Sequence, residues 1–93
     1  MKEQDIELYL RDQVKAEGGR AYKFVSPGNA GVPDRLVLFP GARIAFVELK
    51  APGKAPTSLQ MAQQGKIQRL GFKVFNIDSK TGVDVFIRGM MRK

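Results

Sequence analysis

The sequence predicts an α/β domain: a four-stranded mixed sheet flanked by helices, in the order α-β-β-β-α-β with a short helix at the end. Three observations predict it. The chain opens with apolar residues at helical spacing. Its middle holds two apolar runs joined by a tight Pro-Gly turn. A helix-capping sequence then leads into a second helix and a last strand. At 93 residues there is length for one domain, spanning 1–93, and a chain this small buries too little surface for self-association to be a surprise.

Residues 3–17 carry Ile6, Leu10 and Val14 at four-residue spacing on one helical face, with Asp5 and Asp12 turned away, and Gly18-Gly19 ends the helix. Ala21–Val25 reads as a short strand, and 26–33 is a loop rich in Pro and Gly. Arg35–Phe39 and Ile44–Leu49 form a hairpin across residues 40–43, and their nearly continuous apolar runs predict strands covered on both faces. Residues 51–56 make a second loop. Thr57-Ser-Leu-Gln60 has the form of a capping box and opens a helix carrying Leu59, Ala62, Ile67 and Leu70, which Gly71 stops. Phe72–Ile77 is the last strand and 81–91 a terminal helix. The two long helices are expected on opposite faces of the sheet.

The composition bounds the chemistry. The net charge of +7 favours an anionic partner, nucleic acid above all, although charge alone would fit a ribosomal or architectural protein equally well. Without cysteine there is no disulfide, thiolate nucleophile or zinc finger, and without histidine there is no Ser-His-Asp triad and no imidazole metal site. A bound metal would therefore rest on oxygen ligands, which favours Mg²⁺ or Mn²⁺. No apolar run nears the roughly 18 residues that span a membrane, and the N-terminus has no apolar signal region, so a cytoplasmic location is expected, without membrane or organic cofactor.

Between residues 18 and 77 there are nine basic residues and only two acids, Asp34 and Glu48. Taken alone, Asp34 after Pro33 is an ordinary turn residue, and Glu48 with Lys50 an ordinary ion pair at a strand end. The hairpin changes that balance. Its antiparallel strands bring the start of one beside the end of the other, so Asp34 and Glu48 meet although they lie 14 residues apart. Strand alternation sends Phe46, Glu48 and Lys50 to one face, so Glu48 leaves the sheet from an apolar region and needs a partner, for which a cation serves. Two carboxylates and a lysine at one edge point to metal-assisted phosphodiester hydrolysis. The carboxylates would hold an ion that activates water and neutralises phosphoryl charge, while Lys50 positions water or meets that charge. On the first helix Glu3 falls on the core-facing line of Ile6 and Leu10, with Glu7 only about 40° round from it. Either could supply a third acid, Glu3 being preferred.

In this order the residues resemble a known pattern. Gly31-Val-Pro-Asp34 and Glu48-Leu-Lys50 on an α-β-β-β-α-β frame resemble the PD-(D/E)XK nuclease superfamily, whose core is restriction-endonuclease-like. Glu3 with Ile6, the 22–28 loop, Gly31–Arg35, the 48–53 run and Gln60 resemble more closely its virus-type replication-repair nuclease domain, VRR-NUC, over nearly the whole chain. The resemblance implies a metal-dependent endonuclease acting on branched DNA, of Holliday-junction resolvase type, working as a homodimer. It implies metal ligation by Asp34, Glu48, the Leu49 carbonyl and Glu3, with Lys50 as the catalytic lysine. Gln60 matches the glutamine that begins the second helix, though a simple capping role suits it as well. Lys23, Arg35, Lys54 and Lys66 are candidates for contacting DNA phosphates by their positions in nearby loops and elements. A non-catalytic nucleic-acid-binding module would explain the charge but leaves Asp34, Glu48 and Lys50 without a reason.

Overall fold

The computed structural model describes residues 1–92. Its elements are α1 (Glu3–Ala16), β1 (Arg20–Lys23), β2 (Arg35–Phe39), β3 (Arg43–Leu49), α2 (Ser58–Arg69), β4 (Lys73–Ile77) and α3 (Lys80–Met91). The strands form one mixed sheet in the order β1-β2-β3-β4, with β1, β2 and β3 antiparallel and β4 parallel to β3. The parallel step needs a crossover, and α2 provides it. Among the described residues no helix is long and apolar enough to cross a membrane.

Each boundary has a local cause. The β2–β3 turn closes Phe39 against Arg43 through Pro40, Gly41 and Ala42, with Gly41 at φ 83° and Ala42 at φ 61°. The left-handed region is cheap for Gly41 and costs Ala42 about 1 kcal/mol. Thr57 caps α2 by accepting the Gln60 N–H, and Ser79 caps α3 by accepting that of Gly82. Gly71, at φ 96°, follows the end of α2 where the sequence places its stop.

The core lies on one side of the sheet. Ile6, Leu10 and Val14 of α1 and Val83, Phe86 and Met90 of α3 pack with Val37, Phe39, Ala45, Val47, Leu49 and Ile77, all buried. A hydrogen bond from Tyr9 Oη to Asp84 Oδ1 (2.7 Å) ties α1 to α3. The expected placement of α1 and α2 on opposite faces holds, and α3 joins α1. Two expectations need correction. Of the hairpin strands, β2 is fully covered on one face only, alternating between buried and half-buried positions, whereas β3 also buries Glu48 on the α2 side. The apolar residues of α2 are not core residues. Leu59 and Leu70 are 53% and 77% exposed, whereas Gln64 is buried. Gln64 exchanges two amide hydrogen bonds with Asn76 of β4 (2.7 and 3.0 Å), so a polar contact seats this helix.

Arg35 is a third correction. Expected to contact DNA, it is 7% exposed and points into the α1 side of the sheet. Its Nε donates to Glu7 Oε2 (2.8 Å) and its Nη1 to the Ala21 carbonyl (2.7 Å). A side chain leaving β2 toward the face that α1 covers has no route to solvent, and α1 supplies the compensating carboxylate. Arg35→Ala should destabilise the protein by about 3 kcal/mol, the low end for breaking a buried pair because Glu7 can still reach water. Thermal unfolding checks this, and an unchanged melting temperature would contradict it.

Candidate active site

The backbone places Asp34 first. Arg35 pairs with Val47 across the hairpin and with Lys23 on the other side, so Asp34 stands one step beyond, between β1 and β3. Its carbonyl accepts the Phe24 N–H (2.8 Å), and its Oδ2 accepts the Leu49 N–H (2.9 Å). The carboxylate is thus held against the last residue of β3. Gly31, three residues upstream, has φ 90° and sits so close to α2 that a Cβ there would lie 2.9 Å from Leu59 Cγ and 3.1 Å from its carbonyl oxygen. Gly31→Ala should therefore push the Asp34 loop off α2, costing about 1–3 kcal/mol of stability, together with activity. Thermal unfolding and cleavage assays on this variant would both have to match wild type to refute that.

Glu48, on the α2 side of β3, is 1% exposed. Its Oε2 accepts a hydrogen bond from Gln60 Nε2 (2.9 Å) and lies 3.3 Å from Lys50 Nζ. Its Oε1 is buried with no hydrogen-bond partner among the described residues. Burial and then the charge of Asp34 push the Glu48 pKa above the ordinary carboxylate range; Lys50 opposes this by hydrogen bond and charge, and Glu3 adds to it. A buried, unpartnered carboxylate oxygen beside a second carboxylate is expensive unless a cation meets it. The donor set therefore fits a hard divalent ion with oxygen ligands.

Gln60 joins the two roles that the sequence leaves open. Its Oε1 accepts the Thr57 N–H (2.9 Å), completing the capping box, while its Nε2 reaches Glu48. An amide has an acceptor end and a donor end, and this one uses both. Glu3 lies in the first turn of α1 at the same end of the sheet, close enough for its charge to act on Glu48. Glu7 is committed to Arg35, which leaves Glu3 as the helix acid available to the site. Among the described residues, however, no three His, Cys, Asp or Glu side chains form a group that could hold an ion. Asp34 and Glu48 come together, and Glu3 stands back from them.

No family model matches the chain. A protein described as "Putative nuclease p44", from Acyrthosiphon pisum secondary endosymbiont phage 1, is 49% identical over 80 residues, 86% of each chain. A solved structure described as a VRR_NUC domain is similar with a TM-score of 0.88 at 31% identity, over 95% of this chain and 96% of its own. The chain belongs to the VRR-NUC nuclease family.

Around this VRR-NUC site the remaining basic candidates divide by position. Lys23 is exposed at the end of β1, across from Arg35 and beside Asp34. Lys54 is exposed in the loop after β3, and its N–H closes a turn on the Ala51 carbonyl (3.0 Å). Asp78 fastens the same loop to the end of β4 by accepting the Gly53 N–H (3.1 Å). Lys66 is exposed but lies six residues along α2 from Gln60, about 9 Å up the helix axis and away from the carboxylates. The sequence reading missed Gln64, Asn76 and Asp78. Gln64 had a signal, since it follows Gln60 by one helical turn and so shares its face.

Proposed function

We propose that this VRR-NUC nuclease is a metal-dependent endonuclease that cuts phosphodiester bonds in branched DNA, in the manner of a Holliday-junction resolvase. The unpartnered Oε1 of Glu48 beside Asp34 carries the metal part of the reading. Asp34, Glu48 and the Leu49 carbonyl would hold Mg²⁺ or Mn²⁺, with Glu3 acting through water in the ion's shell. The ion supplies Lewis acidity toward the phosphate and a bound water of lowered pKa.

The protein's own groups do the rest. The Leu49 N–H fixes Asp34, and Gln60 orients Glu48 from the opposite side. Lys50 Nζ, already at Glu48 Oε2, stands where it can position the attacking water or meet the charge of the pentavalent phosphorus. With no histidine in the chain, a bound ion would lower the pKa of its water and the released proton would pass to solvent. Lys23 and Lys54, exposed at the end of β1 and in the loop after β3, suit phosphate contacts that position DNA without reading its sequence.

One site cuts one strand, and symmetric cutting of a junction requires two, which favours a homodimer. Exposed Leu59, Met61, Leu70 and Phe72 on and beside α2 provide apolar surface for such an interface. Cleavage of end-labelled four-way junction, 5′-flap and plain duplex in Mg²⁺, Mn²⁺ or EDTA tests the reading. Paired nicks in the junction, present with metal and absent with EDTA, are expected. Tight binding of all three DNAs with no cutting in either metal would leave only a binding module.

A further inference from the structure

A cavity of about 330 Å³ lies away from the carboxylates, between the C-terminal half of α1 and β1, the strand that ends the sheet. Arg11, Lys15, Gly19, Arg20, Ala21 and Tyr22 line it. Three of these are cations and none is an acid. Among the described residues the Arg11 guanidinium meets only Asp12 (3.1 Å), with both side chains more than half exposed, a pair that costs little to open. Arg20 is steadied by a hydrogen bond to the Gly19 carbonyl (3.2 Å), and the Tyr22 side chain is left 53% exposed.

The β1 backbone leads from the cavity to the site. Arg20 pairs with Leu38, Tyr22 with Leu36 and Lys23 with Arg35, and Phe24 then bonds to Asp34 itself. Tyr22 is thus two residues up the strand from the level of Asp34, about 7 Å, and Arg20 about 14 Å. We propose that this cavity binds a single-stranded DNA segment leaving the cleavage site, with Lys15 and Arg20 on its phosphates and a base stacked on Tyr22. The proposal rests on the nuclease reading and adds to its branched substrate a strand that is unpaired where it leaves the branch point. A single strand is favoured over a duplex because stacked base pairs offer no free face to a tyrosine ring, whereas cations interleaved with an exposed aromatic suit a single strand. The volume, at the lower end for binding clefts, suits one nucleotide-sized group rather than a double helix.

Binding is best read without cleavage, using Asp34→Asn protein in EDTA. Fluorescence anisotropy would compare a labelled blunt duplex with the same duplex carrying a single-stranded tail of about twelve nucleotides. In this background the tailed DNA should bind about tenfold tighter. Lys15→Ala with Arg20→Ala should remove that preference and flatten the salt dependence for tailed DNA by about 1.4 in log–log slope, about 0.7 per phosphate contact. Tyr22→Ala should cost about tenfold on the tail, and Tyr22→Phe should keep the affinity, since stacking needs the ring alone. All three side chains are exposed, so these variants keep the wild-type fold. Equal losses on tailed and blunt DNA would reduce the groove to general electrostatics, and no loss on either would remove it from DNA binding. Because metal is absent, these outcomes are independent of whether the protein cuts.

Discussion

Asp34→Asn should lower cleavage of branched DNA by at least about 10³-fold, or about 4 kcal/mol of barrier, and leave the protein folded and able to bind DNA. Asn is the informative substitution because Asp34 has two duties. Its Oδ2 accepts the Leu49 N–H, a bond that an amide oxygen keeps, while the negative charge beside Glu48 is lost. Asp34→Ala would orphan that N–H as well, so a fall in its activity would mix a structural loss with a chemical one. Single-turnover cleavage of a labelled junction measures the effect, with anisotropy to show that binding persists. Retained cutting by a folded Asp34→Asn protein would remove Asp34 from the chemistry and the metal reading with it.

The second large effect has the opposite sign for stability. Glu48→Gln should abolish cleavage yet raise the melting temperature of the metal-free protein at neutral pH by about 4–8 °C, the shift that about 1 kcal/mol produces in a domain of this size. Burial and the charge of Asp34 hold the folded-state pKa of Glu48 above its unfolded value. The stability linked to its proton is fully present below the unfolded carboxylate pKa and is lost as pH rises through the raised folded value. Wild type therefore loses it as pH rises through that raised value, while glutamine, an isostere of the protonated acid, keeps it at every pH. The gap between the two proteins should shrink toward acid pH. Mn²⁺ should stabilise wild type by mass action and leave Glu48→Gln unmoved. Melting curves across pH, with and without Mn²⁺, provide the measurement. A variant less stable than wild type at neutral pH would mean that Lys50 and Gln60 already compensate the charge, and the case for a cation at Oε1 would fall.

Much of this molecule is legible in its sequence because the relevant physics is local. The four-residue spacing of Ile6, Leu10 and Val14 fixes which face of α1 is buried, and all three residues are fully buried. The turn at residues 40–43 is short enough to force an antiparallel register, and that register alone brings Asp34 alongside Glu48. Thr57 and Gln60 announce the start of α2 through a capping pattern confined to four residues. The side on which a residue's partner lies, by contrast, depends on which helix covers which face. Arg35 looked like a DNA contact from its position next to the site alone. Its partner Glu7 stands 28 residues away on a helix whose docking no local pattern reveals.

The sequence by itself determined the element order, the hairpin register and the convergence of Asp34, Glu48 and Lys50, since each follows from spacing within a few turns or a single hairpin. Only the tertiary structure decided that α2 is seated by a Gln64–Asn76 amide pair with its leucines outside. It also decided that one Gln60 amide serves cap and carboxylate together, and that Glu48 Oε1 is buried with nothing to meet it. These outcomes depend on where separate elements come to rest against one another. Burial and long-range pairing are properties of that packing, and no stretch of sequence carries them alone.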